Sequence, residues 1–157
     1  MAPKRRIALQ AATYGESFLS YDPPGEHSKG DDRMALTILI ALAGLMGAAG
    51  IALAAAGAHT APNAGLGSAA YMLLFHAVAL LGGAALAQLG LLWRPLALVV
   101  LIAWIAGSLL FSGDIALRAF AGHRLFAFAA PAGGIILIAA WVGVAAAAVV
   151  ALSQRAV

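Results

Sequence analysis

Five polar side chains stand within or beside the long apolar runs of this chain, and their types could support chemistry. They are two histidines, a serine, an aspartate and an arginine: His59, His76, Ser112, Asp114 and Arg118. An imidazole and a carboxylate can pass a proton or hold a cation. Ionisable groups in membrane segments are functional candidates because they are costly to bury there. One hypothesis is therefore a proton or cation site that Asp114 shares with His59 or His76.

A structural role explains Asp114 more simply. Arg118 follows it by four residues, with the acid before the base, which is the favourable order for a pair on one helix. Near a helix end the burial cost falls below the roughly 2.5–3.5 kcal/mol of the membrane centre. The spacing predicts an ion pair at the membrane interface that closes the third apolar run. An aspartate that faces water is the remaining alternative.

No complete catalytic or metal-binding set accompanies these residues. The chain has no cysteine, which excludes disulfides, thiolate zinc sites and cysteine nucleophiles. His59 and His76 are not four residues apart and have no carboxylate near them in sequence, so hydrogen bonding between helices is the better interpretation. Ser112 is not in a G-x-S-x-G nucleophile elbow, and we expect its hydroxyl to bond a carbonyl one turn earlier. We predict no enzyme activity, no cofactor and no bound metal.

The elements that must position these residues are four apolar runs. Of the 157 residues 64% are hydrophobic and 10% are charged, whereas soluble domains carry about 25% charged residues. So short and apolar a chain cannot hide its side chains in a water-soluble core. A membrane helix needs about 20 apolar residues. We predict an all-α integral membrane domain over residues 34–157, a four-helix bundle with helices at 34–57, 67–90, 95–117 and 128–152.

The connections between the runs are short, so neighbouring helices should pack as antiparallel hairpins. This arrangement places the polar ends near His59, Asp114, His123 and Pro131 at one membrane face. The first run is too long for the apolar core of a signal peptide, and we do not expect cleavage after Ala58.

Residues 1–33 differ in composition from the rest of the chain. They hold five of the six acidic and five of the nine basic residues, together with a Pro-Pro-Gly stretch. This composition predicts a disordered tail. Met34 stands immediately before the first apolar run, so a start at Met34, with residues 1–33 untranslated, is an open alternative.

The basic residues predict the orientation. Four helices place both termini on one side, and the basic residues expected there are Lys29, Arg33, Arg94 and Arg155, against Arg118 and Arg124 opposite. Positive charge favours the cytoplasmic side, so we predict cytoplasmic termini. A start at Met34 would leave two basic residues on each side. The net charge of +3 is thus explained by membrane topology, and no nucleic-acid partner is expected.

Small residues mark the predicted helix contacts, because they let backbones approach closely in lipid. A stripe at helical spacing places His76 on the packing face of the second helix. The predicted packing glycines are Gly47, Gly50, Gly57, Gly83, Gly107, Gly133 and Gly134. Pro131 is predicted to break or bend the start of the fourth helix.

Four segments resemble one family in order and spacing. They are GAAGIALAAAGAH (47–59), YMLLFHAVALL (71–81), GSLLFSGDIAL (107–117) and APAGGIILIAAW (130–141). They are similar to the small bacterial membrane proteins known as domain of unknown function 423, and the resemblance extends essentially from Met34 to Val157. It implies a four-helix membrane protein and brings no established activity. The chain departs from the family where Ala130 replaces a frequent threonine and where Asp114 replaces a commonly neutral residue.

These features favour a small non-enzymatic membrane protein of the bacterial inner membrane. We expect an assembly, stability or accessory subunit, surrounded by the lipid bilayer, in a homo-oligomer or a larger membrane complex. The alternative is a component of a small-solute or proton transporter or channel. That function would use the polar leaflet near His59, His76 and Asp114.

Overall fold

The computed structural model describes residues 26–59 and 65–155, which form four helices and, within these ranges, no strand. The helices are α1 (Glu26–His59), α2 (Leu66–Gln88), α3 (Arg94–Ala121) and α4 (Ala129–Arg155). Each contains a stretch long and apolar enough to cross a membrane, which in α1 is Met34–His59. The predicted all-α membrane fold with four spanning helices is confirmed.

The first helix begins earlier than the sequence predicted. It starts at Glu26 rather than at residue 34, because adding a residue to an existing helix costs far less than nucleating one. Residues 1–25, most of the predicted tail, lie outside the described residues. The chain divides into two units, Met1–Ala35 and Leu36–Val157, and the bundle described below is the second.

The third helix ends later than predicted. It runs to Ala121, four residues past the predicted end at residue 117, and Gly122 stops it with a φ of 72°. A left-handed residue after a helix favours glycine, which has no Cβ to clash. The extension places Asp114 two turns inside the helix rather than at its end.

Close contacts between helices establish the antiparallel order. A Cβ added to Gly57 near the end of α1 would lie 3.2 Å from Cβ of Leu66, the first residue of α2. Late in α2, a Cβ at Gly83 would lie 2.8 Å from a methyl group of Leu101, early in α3. Between α3 and α4, Gly107 approaches Gly133 in the same way, with 3.0 Å from an added Cβ to the carbonyl oxygen. The predicted antiparallel hairpins are confirmed.

The α2–α3 connection is fixed by backbone bonds and by the end of α4. The amides of Gly90 and Leu91 donate to the carbonyls of Ala87 and Leu86, a Schellman arrangement that caps α2. Arg155 Nη2 donates to Gly90 O at 2.6 Å. The carboxyl end of α4 therefore lies at the same end of the bundle as the α2–α3 loop.

The core lies between the four helices and is built from small and aliphatic side chains with one tryptophan, Trp104. Large apolar side chains on the other faces are exposed, among them Phe75, Val78, Ile102 and Ile138. Large apolar side chains on the outer surface are expected when lipid rather than water surrounds a bundle.

Candidate functional site

The buried imidazole of His76 on α2 has both ring nitrogens engaged. Its Nδ1–H donates to the carbonyl of Met72 one turn earlier, at 2.8 Å. Its Nε2 accepts from the indole N–H of Trp141 on α4, at 3.3 Å. The two bonds are compatible when the imidazole is neutral and carries its proton on Nδ1. The side chain is 4% exposed, so this bond joins α2 to α4 inside the bundle.

Two tryptophans complete what we call the His76 cluster, formed by His76, Trp104 and Trp141. The indole centroids lie 4.8 Å apart, and the imidazole centroid lies 6.3 Å from that of Trp104 and 6.2 Å from that of Trp141. These distances are typical of attractive aromatic pairs. Because Trp104 is on α3, the cluster ties three helices together.

The sequence interpretation included His76 but overlooked both tryptophan partners. Membrane tryptophans usually lie at the interface. Trp104 and Trp141 instead stand about midway along α3 and α4. For Trp141 that position was the available signal, since an indole N–H at membrane depth needs an acceptor within the protein, and this one is His76. The Trp104 N–H has no acceptor among the described residues.

Ser112 holds α3 against α2. Its hydroxyl donates to the carbonyl of Ala69 at 2.9 Å. The expectation of a bond to a carbonyl one turn earlier on its own helix was wrong. Ala69 is fully buried and carries only a methyl group, so the two backbones approach closely enough for the hydroxyl to cross between helices.

Asp114 forms the predicted pair with Arg118, but not in the predicted surroundings. Its Oδ2 lies 3.1 Å from Arg118 Nη2, and its Oδ1 accepts the backbone N–H of Leu125 at 3.0 Å. The Asp114 side chain is 4% exposed, against 40% for Arg118. The ion pair is as predicted, but it does not close α3, which continues to Ala121. The alternative of an aspartate that faces water was wrong because the loop after α3 folds back over the carboxylate.

The candidate polar residues are not brought together into one site. Ser112 is level with Ala69, and His76 lies seven residues further along α2, away from Asp114, so the separation along the bundle exceeds about 10 Å. His59 is exposed in the last turn of α1. Over the described ranges, no group of three histidine, cysteine or acidic residues could hold a metal ion.

A cavity of about 490 Å³ opens beside Asp114, between α3, α4 and the loop that joins them. We call it the Asp114 cavity. Its polar lining consists of Asp114, Arg118 and Arg124, and its apolar lining includes Phe111, Ile115 and Pro131. The lining therefore carries two guanidinium groups and one carboxylate, which makes it positively charged.

Pro131 does not break the fourth helix, contrary to prediction. The helix is continuous from Ala129 to Arg155, because a proline in the first turn has no intrahelical N–H bond to lose. The neighbouring glycines differ. A Cβ at Gly133 would lie 2.6 Å from the carbonyl oxygen of Gly107, whereas one at Gly134 would have nothing within 4 Å. Gly133 is a packing residue, and Gly134 lines the Asp114 cavity.

The other predicted packing glycines fall into two groups. Gly50, Gly57, Gly83 and Gly107 all lie so close to a neighbouring helix that an added Cβ would be within 3.4 Å of it. Gly47 makes an ordinary contact instead, with 3.9 Å from an added Cβ to that of Ala77.

Four helices, each long and apolar enough to cross a membrane, define a polytopic integral membrane protein. A family model described as Protein of unknown function (DUF423) matches residues 53–134, slightly more than half of the chain. The chain belongs to this family, as its resemblance predicted. No curated protein and no solved structure gives a match. The matched range includes His76, Trp104 and all the lining residues of the Asp114 cavity, and it ends before Trp141.

Proposed function

We propose that this protein is a non-enzymatic accessory subunit, which assembles with or stabilises other membrane proteins or further copies of itself. One observation carries the proposal: the buried candidate groups are closed by partners within the chain. His76 bonds Met72 and Trp141, and Ser112 bonds Ala69. Asp114 forms an ion pair with Arg118 and accepts the backbone N–H of Leu125. The bonds of His76 to Trp141 and of Ser112 to Ala69 join α2 to α4 and α3 to α2.

The separation of these groups argues against the transporter alternative. A proton or cation relay needs successive polar groups within hydrogen-bond reach, directly or through water. Asp114 and His76 lie more than about 10 Å apart along the bundle, with the Ser112 contact between their levels. At the levels between them α3 and α4 pack closely, since a Cβ added to Gly133 would lie 2.6 Å from the Gly107 carbonyl oxygen.

The first helix supports a role in a larger assembly. Only 17% of its most apolar window is buried, against 44% for that of α2. Its outward side carries small residues, among them Ala41, Gly44 and Ala48, which would let a further membrane helix approach. A protein that binds other membrane proteins needs such an uncovered flank.

The proposal is tested by substituting His76 and its chain neighbour Phe75, which faces outward. His76→Ala should destabilise the protein by about 2–3 kcal/mol, through lost packing and an unpaired Trp141 N–H, and should lower its abundance. Phe75→Ala is the matched control and should leave abundance nearly unchanged. Purification in a gentle detergent should recover a complex or an oligomer. A His76→Ala protein of normal abundance that abolishes a proton or solute flux would instead establish the transporter alternative.

We further place the protein in a bacterial inner membrane with cytoplasmic termini. The carboxyl end of α4 and the α2–α3 loop share one end of the bundle through the Arg155–Gly90 bond, and Arg94 follows that loop. A reporter active only outside the cytoplasm should stay silent after Val157 and become active when inserted at His123. The reverse pattern would contradict this orientation.

A further inference from the structure

The Asp114 cavity contains more positive charge than its own residues neutralise. Asp114 uses one oxygen on the Leu125 amide and the other on Arg118. Arg124 also lines the cavity, and none of the described residues offers its side chain an acceptor. The lining therefore has one uncompensated positive charge. It presents Arg124 together with the N–H groups of Arg118 that Asp114 does not engage.

The cavity lies where a membrane lipid would place its headgroup. It is bounded by the loop after α3 and by the first turn of α4, at an end of the bundle. The same loop exposes three large apolar side chains beside its basic residues, namely Leu125, Phe126 and Phe128. Basic and aromatic residues side by side are typical of the zone between headgroups and acyl chains. The positive end of the α4 dipole also favours an anion there.

We propose that the Asp114 cavity binds the phosphate group of an anionic membrane lipid. Arg118 and Arg124 hold the phosphate oxygens, which suit the planar donor fork of a guanidinium. Phe111, Ile115 and Pro131 contact the glycerol and the first acyl carbons.

Two features favour this ligand over others of similar chemistry. The cavity volume of about 490 Å³ is within the range of small-molecule sites, and its wall is largely apolar. One acyl chain has a path past Gly134 and along the exposed Ile138, one turn further on α4. A free phosphate ion would leave this apolar wall uncovered. A zwitterionic lipid would bring its own cation towards Arg124. The site depends neither on the proposed function nor on the orientation.

The test is lipid retention by the full chain, measured by native mass spectrometry after reconstitution with phosphatidylglycerol and phosphatidylcholine in equal amounts. The wild-type protein should retain one phosphatidylglycerol in preference to phosphatidylcholine. Arg124→Gln removes the uncompensated charge and should lower the apparent affinity about five- to tenfold. Arg155→Gln is the control, because it removes the same charge at the other end of the bundle and should not change retention. Arg124→Lys should restore part of the binding.

Three results would overturn the proposal. One is equal retention of the two lipids by the wild-type protein. Another is equal loss of phosphatidylglycerol in the Arg124→Gln and Arg155→Gln proteins. The third is displacement of the lipid by millimolar inorganic phosphate, which would assign the cavity to a free anion. Helical content measured by circular dichroism verifies that each variant is folded, and Arg124→Lys provides the comparison if Arg124→Gln is not.

Discussion

The His76 cluster and the Asp114 cavity are each built around a polar residue that is almost completely buried, with 4% of His76 and 3% of Asp114 exposed. They differ in the surroundings of the groups that bond to this residue. His76 bonds the carbonyl of Met72 and the indole of Trp141, which packs against Trp104. Asp114 bonds the backbone amide of Leu125 and the side chain of Arg118, and Arg118 lines an open cavity. Burial alone therefore does not separate a structural contact from a binding site.

Depth in the membrane explains the difference. The middle of a bilayer offers no water, so a polar group there must find its partners inside the protein. The His76 cluster lies about midway along its helices, and both ring nitrogens of His76 have partners within the chain. The buried indole N–H of Trp104 has none among the described residues. Asp114 lies two turns from the end of α3, where headgroups and water are within reach of its partner. A charge can be kept there, and its counterion can face outward.

The largest expected effect comes from two adjacent glycines of α4, one on the packed side and one on the cavity side. Gly133→Ala would place a methyl group 2.6 Å from the Gly107 carbonyl oxygen and 2.7 Å from the Phe111 amide nitrogen. Backbone atoms cannot move aside, so we expect a loss of about 3 kcal/mol or more. Gly134→Ala meets nothing within 4 Å and should be neutral or gain up to about 1 kcal/mol from helix propensity.

The two glycine variants are compared by unfolding in detergent under identical conditions. Each changes one hydrogen to a methyl group in the same helical turn, so differences in expression or detergent binding largely cancel. Equal stabilities would contradict the close approach of α3 and α4 at this level, and with it the distinction between a packed and an open side.

The ion pair should give the next largest effect. Arg118→Ala leaves a buried carboxylate with only the Leu125 amide, and we expect a cost of about 2 kcal/mol. This is less than the roughly 3–5 kcal/mol of a fully buried pair, because water reaches Arg118. Asp114→Asn combined with Arg118→Ala removes both charges and should cost about 1 kcal/mol or less. A double-mutant cycle measures the coupling directly. A coupling near zero would show that the carboxylate is hydrated and that the loop does not cover it.

The sequence predicted the helices well because membrane spans are determined by length and hydropathy. It also placed His76 on the packing face and paired Asp114 with Arg118, since both follow from helical periodicity. It did not predict that Trp141 meets His76 or that Leu125 covers Asp114. These contacts join residues far apart in the chain or depend on where a helix ends. Because the predicted end of α3 was four residues too early, the loop that covers Asp114 was not foreseen.

The smallest expected effect is a difference in stability between alanine variants of two serines on neighbouring turns of α3. Both serines lie between the His76 cluster and the Asp114 cavity. Both are essentially inaccessible, but Ser112 donates to Ala69 O, whereas the Ser108 hydroxyl has no hydrogen-bond partner among the described residues. Ser112→Ala should cost about 0.6–1 kcal/mol, the usual strength of a hydrogen bond between membrane helices. Ser108→Ala removes a buried hydroxyl without breaking a bond, so the free energy of unfolding should stay unchanged or rise slightly.

Both variants are measured by their unfolding free energies in one detergent. Because the change of side chain is the same, each serine is the control for the other. If Ser108→Ala destabilised the protein as much as Ser112→Ala, Ser108 would have an acceptor of its own, and polar contacts would continue from the Asp114 end towards His76. The contrast between a closed cluster and a separate open cavity would then fail.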